Sequence, residues 1–165
     1  MKTLLLIRHA KSSWDDITQK DFDRPLNDRG KKDAPEMAER VKEKGVKPDL
    51  LVSSPAKRAK KTAALFAEEL GIDKDDILLV EGLYEPTREA FETAVANLPD
   101  KADTVALFSH NPGITEFVNT LSNVRIDDMP TCGVFAVSAE VSTWAQFKGG
   151  EAAFLFFDYP KNPLG

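Results

Sequence analysis

The chain has two histidines, and each stands at the end of an apolar run. The first run, TLLLI at residues 3–7, leads directly into Arg8-His9 with no turn residue between. A second, LLVSS at 50–54, runs into Pro55 and then Arg58. A third, TVALFSH at 104–110, ends in His110 and is followed by Asn111-Pro112. Two guanidinium groups, two imidazoles and a helix start describe an anion site. Arginine forks match phosphate oxygens bidentately and stay charged at any working pH. A helix opening at Asn111-Pro112 adds unpaired backbone N–H groups and a positive dipole end. A phosphate held there is open to attack by a neutral imidazole, giving a phosphohistidine that water then hydrolyses. The arginines would hold the equatorial oxygens of a loose transition state, where charge compensation supplies most of the acceleration.

If the three runs are parallel strands, these side chains lie on one edge of the sheet. Each is rich in branched residues with little polar alternation, the pattern of strands covered on both faces. ILLV at 77–80 is a weaker fourth candidate. Ligands in such sheets bind beyond the carboxyl ends of the strands, where Arg8-His9, Ser53-Ser54 and His110 would stand. Helical signals fill the intervals. One helix is expected from about Arg29 to Lys44, stopped at Gly45, with Pro35 as an irregularity inside it. Ser54-Pro55 signals a capped start, followed by Ala59, Ala63, Phe66, Ala67 and Leu70 at helical spacing and a stop at Gly71. Thr87 caps a helix through Asn97, and Asn111-Pro112 opens another to about Leu121. In the tail, GVFAV (133–137), TWAQF (143–147) and AAFLFF (152–157) read as strands, the last two joined by Lys148-Gly149-Gly150. The expected fold is α/β: a three-layer α/β/α sandwich with a mostly parallel central sheet, one domain over residues 1–165.

Composition narrows the function classes. A length of 165 residues suits one well-buried core. The net charge of -5 argues against general affinity for nucleic acid, which needs a cationic face. TLLLI is too short for a membrane span or a signal-peptide apolar region. The single cysteine, Cys132, has no partner for an internal disulfide and reads as a small apolar filler, so a cytoplasmic protein is expected.

RHAKSSW at 8–14 resembles the RHG-containing signature of the histidine phosphatase superfamily, the phosphoglycerate mutase-like proteins, with Arg8-His9 as the core pair. RPLNDRG (24–30) is similar to the family's segment ahead of the first helix. SSPAKRAKKTA (53–63) resembles its second arginine motif, at Arg58, and LFSHNP (107–112) the strand carrying its second histidine, at His110. The short chain and the LYEP segment point to the SixA-like branch of small phosphohistidine phosphatases. The resemblance implies a phosphoglycerate mutase-like fold and a metal-independent phosphatase without cofactor. It implies His9 as nucleophile, Arg8, Arg58 and His110 around the phosphate, and Glu85 as proton donor, with Glu81 second. Ser12 and Asn111 are the further expected substrate contacts. Two positions depart from the pattern: Ala10 replaces the usual glycine, and Asn27 the commoner serine or threonine.

An imidazole leaving group needs less acid assistance than an alkoxide, so a weak proton donor favours phosphohistidine on a partner protein. Expected partners are therefore a phosphorylated protein, such as a histidine phosphotransfer domain, or a small phosphoester, but no nucleic acid and no membrane. Alternatives are a phosphomonoesterase acting on small metabolites, a non-catalytic phospho-binding module, and a mutase, for whose longer insertions this chain has little room. A metal site would need further ligands beside the two histidines, and neither CxxC nor HExxH spacing occurs. Lys60 and Lys61 read as a solvated helix face, Phe154, Phe156 and Phe157 as packing, and Asp127 and Asp128 as loop acids.

Overall fold

Leu4 and Leu6 of the first strand point into one apolar layer, Leu5 and Ile7 into the other, and all four are fully buried. That is why the run shows no polar alternation: both faces of its strand are covered. The structure is a computed structural model that describes residues 1–163. Its strands are β1 (Lys2–Arg8), β2 (Leu50–Ser53), β3 (Leu78–Leu79), β4 (Thr104–Ser109), β5 (Val134–Ala139) and β6 (Ala153–Asp158). The helices are α1 (Asp28–Glu43), α2 (Lys57–Leu70), α3 (Arg88–Ala96) and α4 (Gly113–Val118). The sheet order is β3-β2-β4-β1-β5-β6. Pairings β2–β3, β2–β4 and β1–β4 are parallel, whereas β1–β5 and β5–β6 are antiparallel. Met37, Ala38 and Val41 of α1 and Ala63, Phe66 and Ala67 of α2 cover one face. Phe91 and Val95 of α3, Ile114 and Phe117 of α4, and Trp144 cover the other.

Register then places the site. Arg8 pairs with Ser109, and Ser53 with Phe108, so β1, β4 and β2 finish at one edge of the sheet. The residues that follow are His9, His110 and Ser54.

Local expectations hold where the signal is local. Thr87 caps α3 by accepting from the amide of Ala90 at 3.1 Å, and Gly71 ends α2 at φ 72°. Asn27 caps α1 by accepting from the amide of Gly30 at 2.9 Å. Pro35 lies inside α1, where burial of Ala34, Met37, Ala38 and Val41 offsets the missing hydrogen bond.

Three expectations need correction. Ser54 is not the cap of α2: the helix starts at Lys57, and the Ser54 hydroxyl accepts from the amide of Ala56 in the preceding turn at 3.2 Å. Asn111 does not cap α4, which starts at Gly113 and stops at Val118 rather than near Leu121; its amide oxygen accepts from Thr115 Oγ1 at 2.6 Å instead. TWAQF is not a strand but contains a 3₁₀ turn, Trp144–Gln146. Trp144 and Phe147 both face the core, a spacing of three that a strand cannot direct to one side, and Trp144 Nε1 donates to the carbonyl of Ala102 at 2.7 Å. β6 therefore pairs with β5 alone, and Lys148-Gly149-Gly150 is no hairpin turn.

Candidate active site

His9 leaves the end of β1 and is 6% exposed. Its Nδ1 lies 2.7 Å from the carbonyl oxygen of Ala10, an atom that can only accept, so Nδ1 carries the proton and Nε2 the lone pair. Arg58 Nε donates to that Nε2 at 3.3 Å. The His110 ring stands 5.1 Å from the His9 ring, centroid to centroid, and its Nε2 is 2.7 Å from Ser54 Oγ. Arg8 Nη1 donates to the carbonyl of Met129 at 2.8 Å. Arg8 Nε and His110 Nδ1 are buried without a hydrogen-bond partner among the described residues. Arg8, His9, Arg58 and His110, drawn from three distant stretches of chain, thus meet at one sheet edge.

The electrostatics keep both imidazoles neutral. Burial is the main cause, pushing each down to about 3, and the guanidinium groups of Arg58 and Arg8 push the same way. The backbone bond of His9 to Ala10 and the charge of Asp21 near His110 oppose this only in part. A neutral imidazole whose Nε2 carries a lone pair rather than a proton is the form that can attack phosphorus once the bond from Arg58 is given up.

Asp21 and Tyr84 are members of the cluster that sequence reasoning missed. The Asp21 carboxylate accepts from Arg58 Nη2 at 3.0 Å, Arg24 Nη1 at 2.9 Å and the Tyr84 hydroxyl at 2.7 Å. Its backbone oxygen takes a further bond from Arg58 Nη1 at 2.6 Å. Burial pushes the Asp21 carboxyl up, but the bonds from Tyr84, Arg58 and Arg24 outweigh it and pull it down to about 2. Burial and the adjacent Asp21 raise Tyr84 to about 12, so its phenol stays a donor. The Tyr84 ring meets that of His110 edge-on at 5.5 Å. Nothing in the segment DFDRPL announces Asp21; only its place three residues ahead of Arg24 in the RPL motif could have raised it.

The remaining expected residues fall around this centre. The hydroxyl of Ser12, buried, accepts from Arg24 Nη2, and Arg24 also stacks over the Trp14 ring. That arrangement ties the loop after β1 to the RPL segment. Asn111 donates to Asp128 Oδ1 at 2.9 Å and the Met129 carbonyl at 3.0 Å, joining the loop that also receives Arg8. Asp128 is therefore more than a loop acid: its charge opposes the burial that lowers Arg8. Glu85 is exposed at φ 49° beside Tyr84, and its side chain makes no hydrogen bond or ion pair with the cluster. α4 is only six residues long, so its dipole is a small part of the field.

Two glycines let backbones close on this edge. A Cβ on Gly30 would lie 2.2 Å from the Lys11 carbonyl oxygen, and one on Gly113 would lie 2.3 Å from that of Pro86. At Ala10 the chain has room for a methyl group: it is fully buried, and its amide donates to Thr62 Oγ1 at 2.9 Å. Cys132 is buried with its thiol pushed up by that burial, which fits a filler. No helix of the described residues is long and apolar enough to cross a membrane. Among them no three His, Cys, Asp or Glu side chains gather as metal ligands.

Residues 4–87 match the family described as the histidine phosphatase superfamily (branch 1). An uncharacterized chloroplastic protein of Arabidopsis thaliana is 30% identical over 154 residues, spanning 88% of this chain and 70% of that protein. Among solved structures, the fold resembles a protein assigned as the phosphohistidine phosphatase SixA from Agrobacterium tumefaciens, with a TM-score of 0.79, 24% identity and coverage of 96% of this chain and 98% of that one. It also resembles the protein histidine phosphatase SixA complexed with tungstate, with a TM-score of 0.78, 20% identity and coverage of 96% and 97%. Strand order, the two-histidine edge and these likenesses agree: the chain belongs to the histidine phosphatase superfamily, branch 1, and is a phosphatase with the SixA fold.

Proposed function

We propose that this phosphatase is metal-independent and works through a phosphohistidine at His9, acting on phosphohistidine carried by a partner protein. The observation that carries the mechanism is the tautomer of His9: with Nδ1–H held by the Ala10 carbonyl, the Nε2 lone pair faces the guanidinium of Arg58. That lone pair attacks phosphorus while the P–N bond to the substrate imidazole breaks. Its electron pair stays on the leaving nitrogen, which takes a proton from solvent and departs as neutral imidazole. Water then attacks the phosphorus on His9, the P–Nε2 bond breaks, the pair returns to the ring, and inorganic phosphate leaves with the surplus proton passed to solvent. Arg8, Arg58 and His110 hold the phosphoryl oxygens through both steps.

The substrate reading rests on the proton donor. Glu85 is the acid the family resemblance suggests, yet it is exposed and makes no hydrogen bond or ion pair with the cluster. A loosely placed acid suits a leaving imidazole and serves an alkoxide poorly. Ser12 and Asn111 shape the pocket by holding Arg24 and the 128–129 loop. The test is a single-turnover trap. Acid-labile phosphate should accumulate on the wild type, and His9→Ala should lose the label together with activity, by roughly 10³-fold or more. Turnover without label, or label surviving the substitution, would remove His9 from its role. Efficient hydrolysis of alkyl phosphomonoesters that Glu85→Gln abolishes would move the substrate to small phosphoesters. Stoichiometric capture of a phosphopeptide without phosphate release would point to a binding module.

A further inference from the structure

Beside the phosphate pocket runs a groove of about 680 Å³ with an apolar floor and a lysine rim. Phe22, Pro25, Pro55 and Ala64 contribute the floor, and Phe22 is 37% exposed. The rim is formed by Lys31 on α1, Lys57, Lys60 and Lys61 on α2, and Lys74 in the turn beyond it. Asp23 is the one carboxylate among the lining residues. None of the five ammonium groups has an ion pair or hydrogen bond among the described residues. This concentration of positive charge runs against the chain's net charge of -5.

The groove is continuous in sequence with the site. Phe22 and Asp23 follow Asp21, which binds Arg58; Pro55 follows Ser54, which contacts His110; Lys57 precedes Arg58. We infer that this groove is a docking surface for an acidic segment of the phosphorylated partner protein, whose carboxylates meet the lysine rim while an apolar side chain seats against Phe22. The inference rests on the reading of the substrate as a protein-borne phosphohistidine. The occupant follows from the layout of charge. The lysines come from two helices and a turn, and five cations lining one groove suit a run of carboxylates. The apolar floor adds a contact for a side chain. Complementary charge of this kind steers encounter and raises the rate of productive association.

Two synthetic phosphohistidine peptides of equal length test it, one flanked by Asp, Glu and a leucine, the other with the acids replaced by Gln. Wild-type kcat/KM should favour the acidic peptide by about tenfold at low ionic strength, and the preference should fade as salt approaches ~0.5 M. The Lys57→Gln, Lys60→Gln, Lys61→Gln, Lys74→Gln variant should lose that preference while hydrolysing free phosphohistidine at the wild-type rate. Lys60→Glu with Lys61→Glu should invert the preference toward a lysine-flanked peptide. Equal turnover of both peptides by the wild type, or a preference unmoved in the variants, would overturn the docking surface and leave the substrate reading intact. Failure of the wild type on all the peptides, with turnover of small phosphoesters, would overturn the substrate reading and the docking surface with it.

Discussion

Asp21→Asn is the most informative single substitution, because it removes a charge from the pocket and leaves the shape of the residue. In the structure, Asp21 occupies Arg58 Nη2 at 3.0 Å, a donor that a phosphoryl group on His9 would also use. Substrate and carboxylate therefore compete for one guanidinium. A hydrogen bond between charged groups is worth about 1.5–3 kcal/mol net. The Asp21 side chain is 49% exposed, and solvent screening reduces the figure to about 1 kcal/mol. Releasing that competition should tighten binding of inorganic phosphate about fivefold. Product inhibition of turnover and calorimetric titration with phosphate both measure it. A second signature accompanies the first: Tyr84, held at about 12 through burial and Asp21, should titrate lower in the variant, as seen by tyrosinate absorbance. Weaker phosphate binding in Asp21→Asn would refute the reasoning and show that the carboxylate holds Arg58 in its working position.

The two histidines make a pH prediction. Each is lowered by burial to about 3 in the folded chain against 6.5 for an ordinary imidazole, so below pH 6.5 the unfolded chain takes up protons that the folded one does not. Stability contributed by the neutral rings is present above pH 6.5 and is lost as the pH falls toward 3, by about 2 kcal/mol per histidine at pH 5. Urea unfolding at pH 7 and pH 5 checks the energy, and a ring protonating near pH 6.5 by NMR would contradict it. Gly113→Ala should destabilise the fold by about 1–3 kcal/mol, since the new Cβ would stand 2.3 Å from the Pro86 carbonyl. It should also lower kcat/KM through the displaced His110 and Tyr84 loops; an unchanged denaturation midpoint would count against that contact. Trp144→Ala should cost about 3–5 kcal/mol by leaving a cavity and removing the indole bond to the Ala102 carbonyl, measured by the same unfolding curves.

What could be read from the sequence is whatever depends on neighbours in the chain. The buried strands show as unalternating branched runs because both faces of β1, β2 and β4 are covered, and Thr87 and Gly71 mark helix ends through their own backbone geometry. Placement of Arg8, His9, Arg58 and His110 at one edge also follows, since parallel strands end on the same side. TWAQF is ambiguous by itself, because a short apolar run looks the same in a strand and in a turn that buries residues three apart. The rest is decided by tertiary structure. Asp21 reaches Arg58 across 37 residues of chain and Tyr84 across 63, and no local pattern encodes such a meeting. The protonation of His9 depends on burial and on where one carbonyl oxygen comes to rest. Residue order determines which groups arrive at the sheet edge; only packing decides how far apart they stand and which of them carry charge.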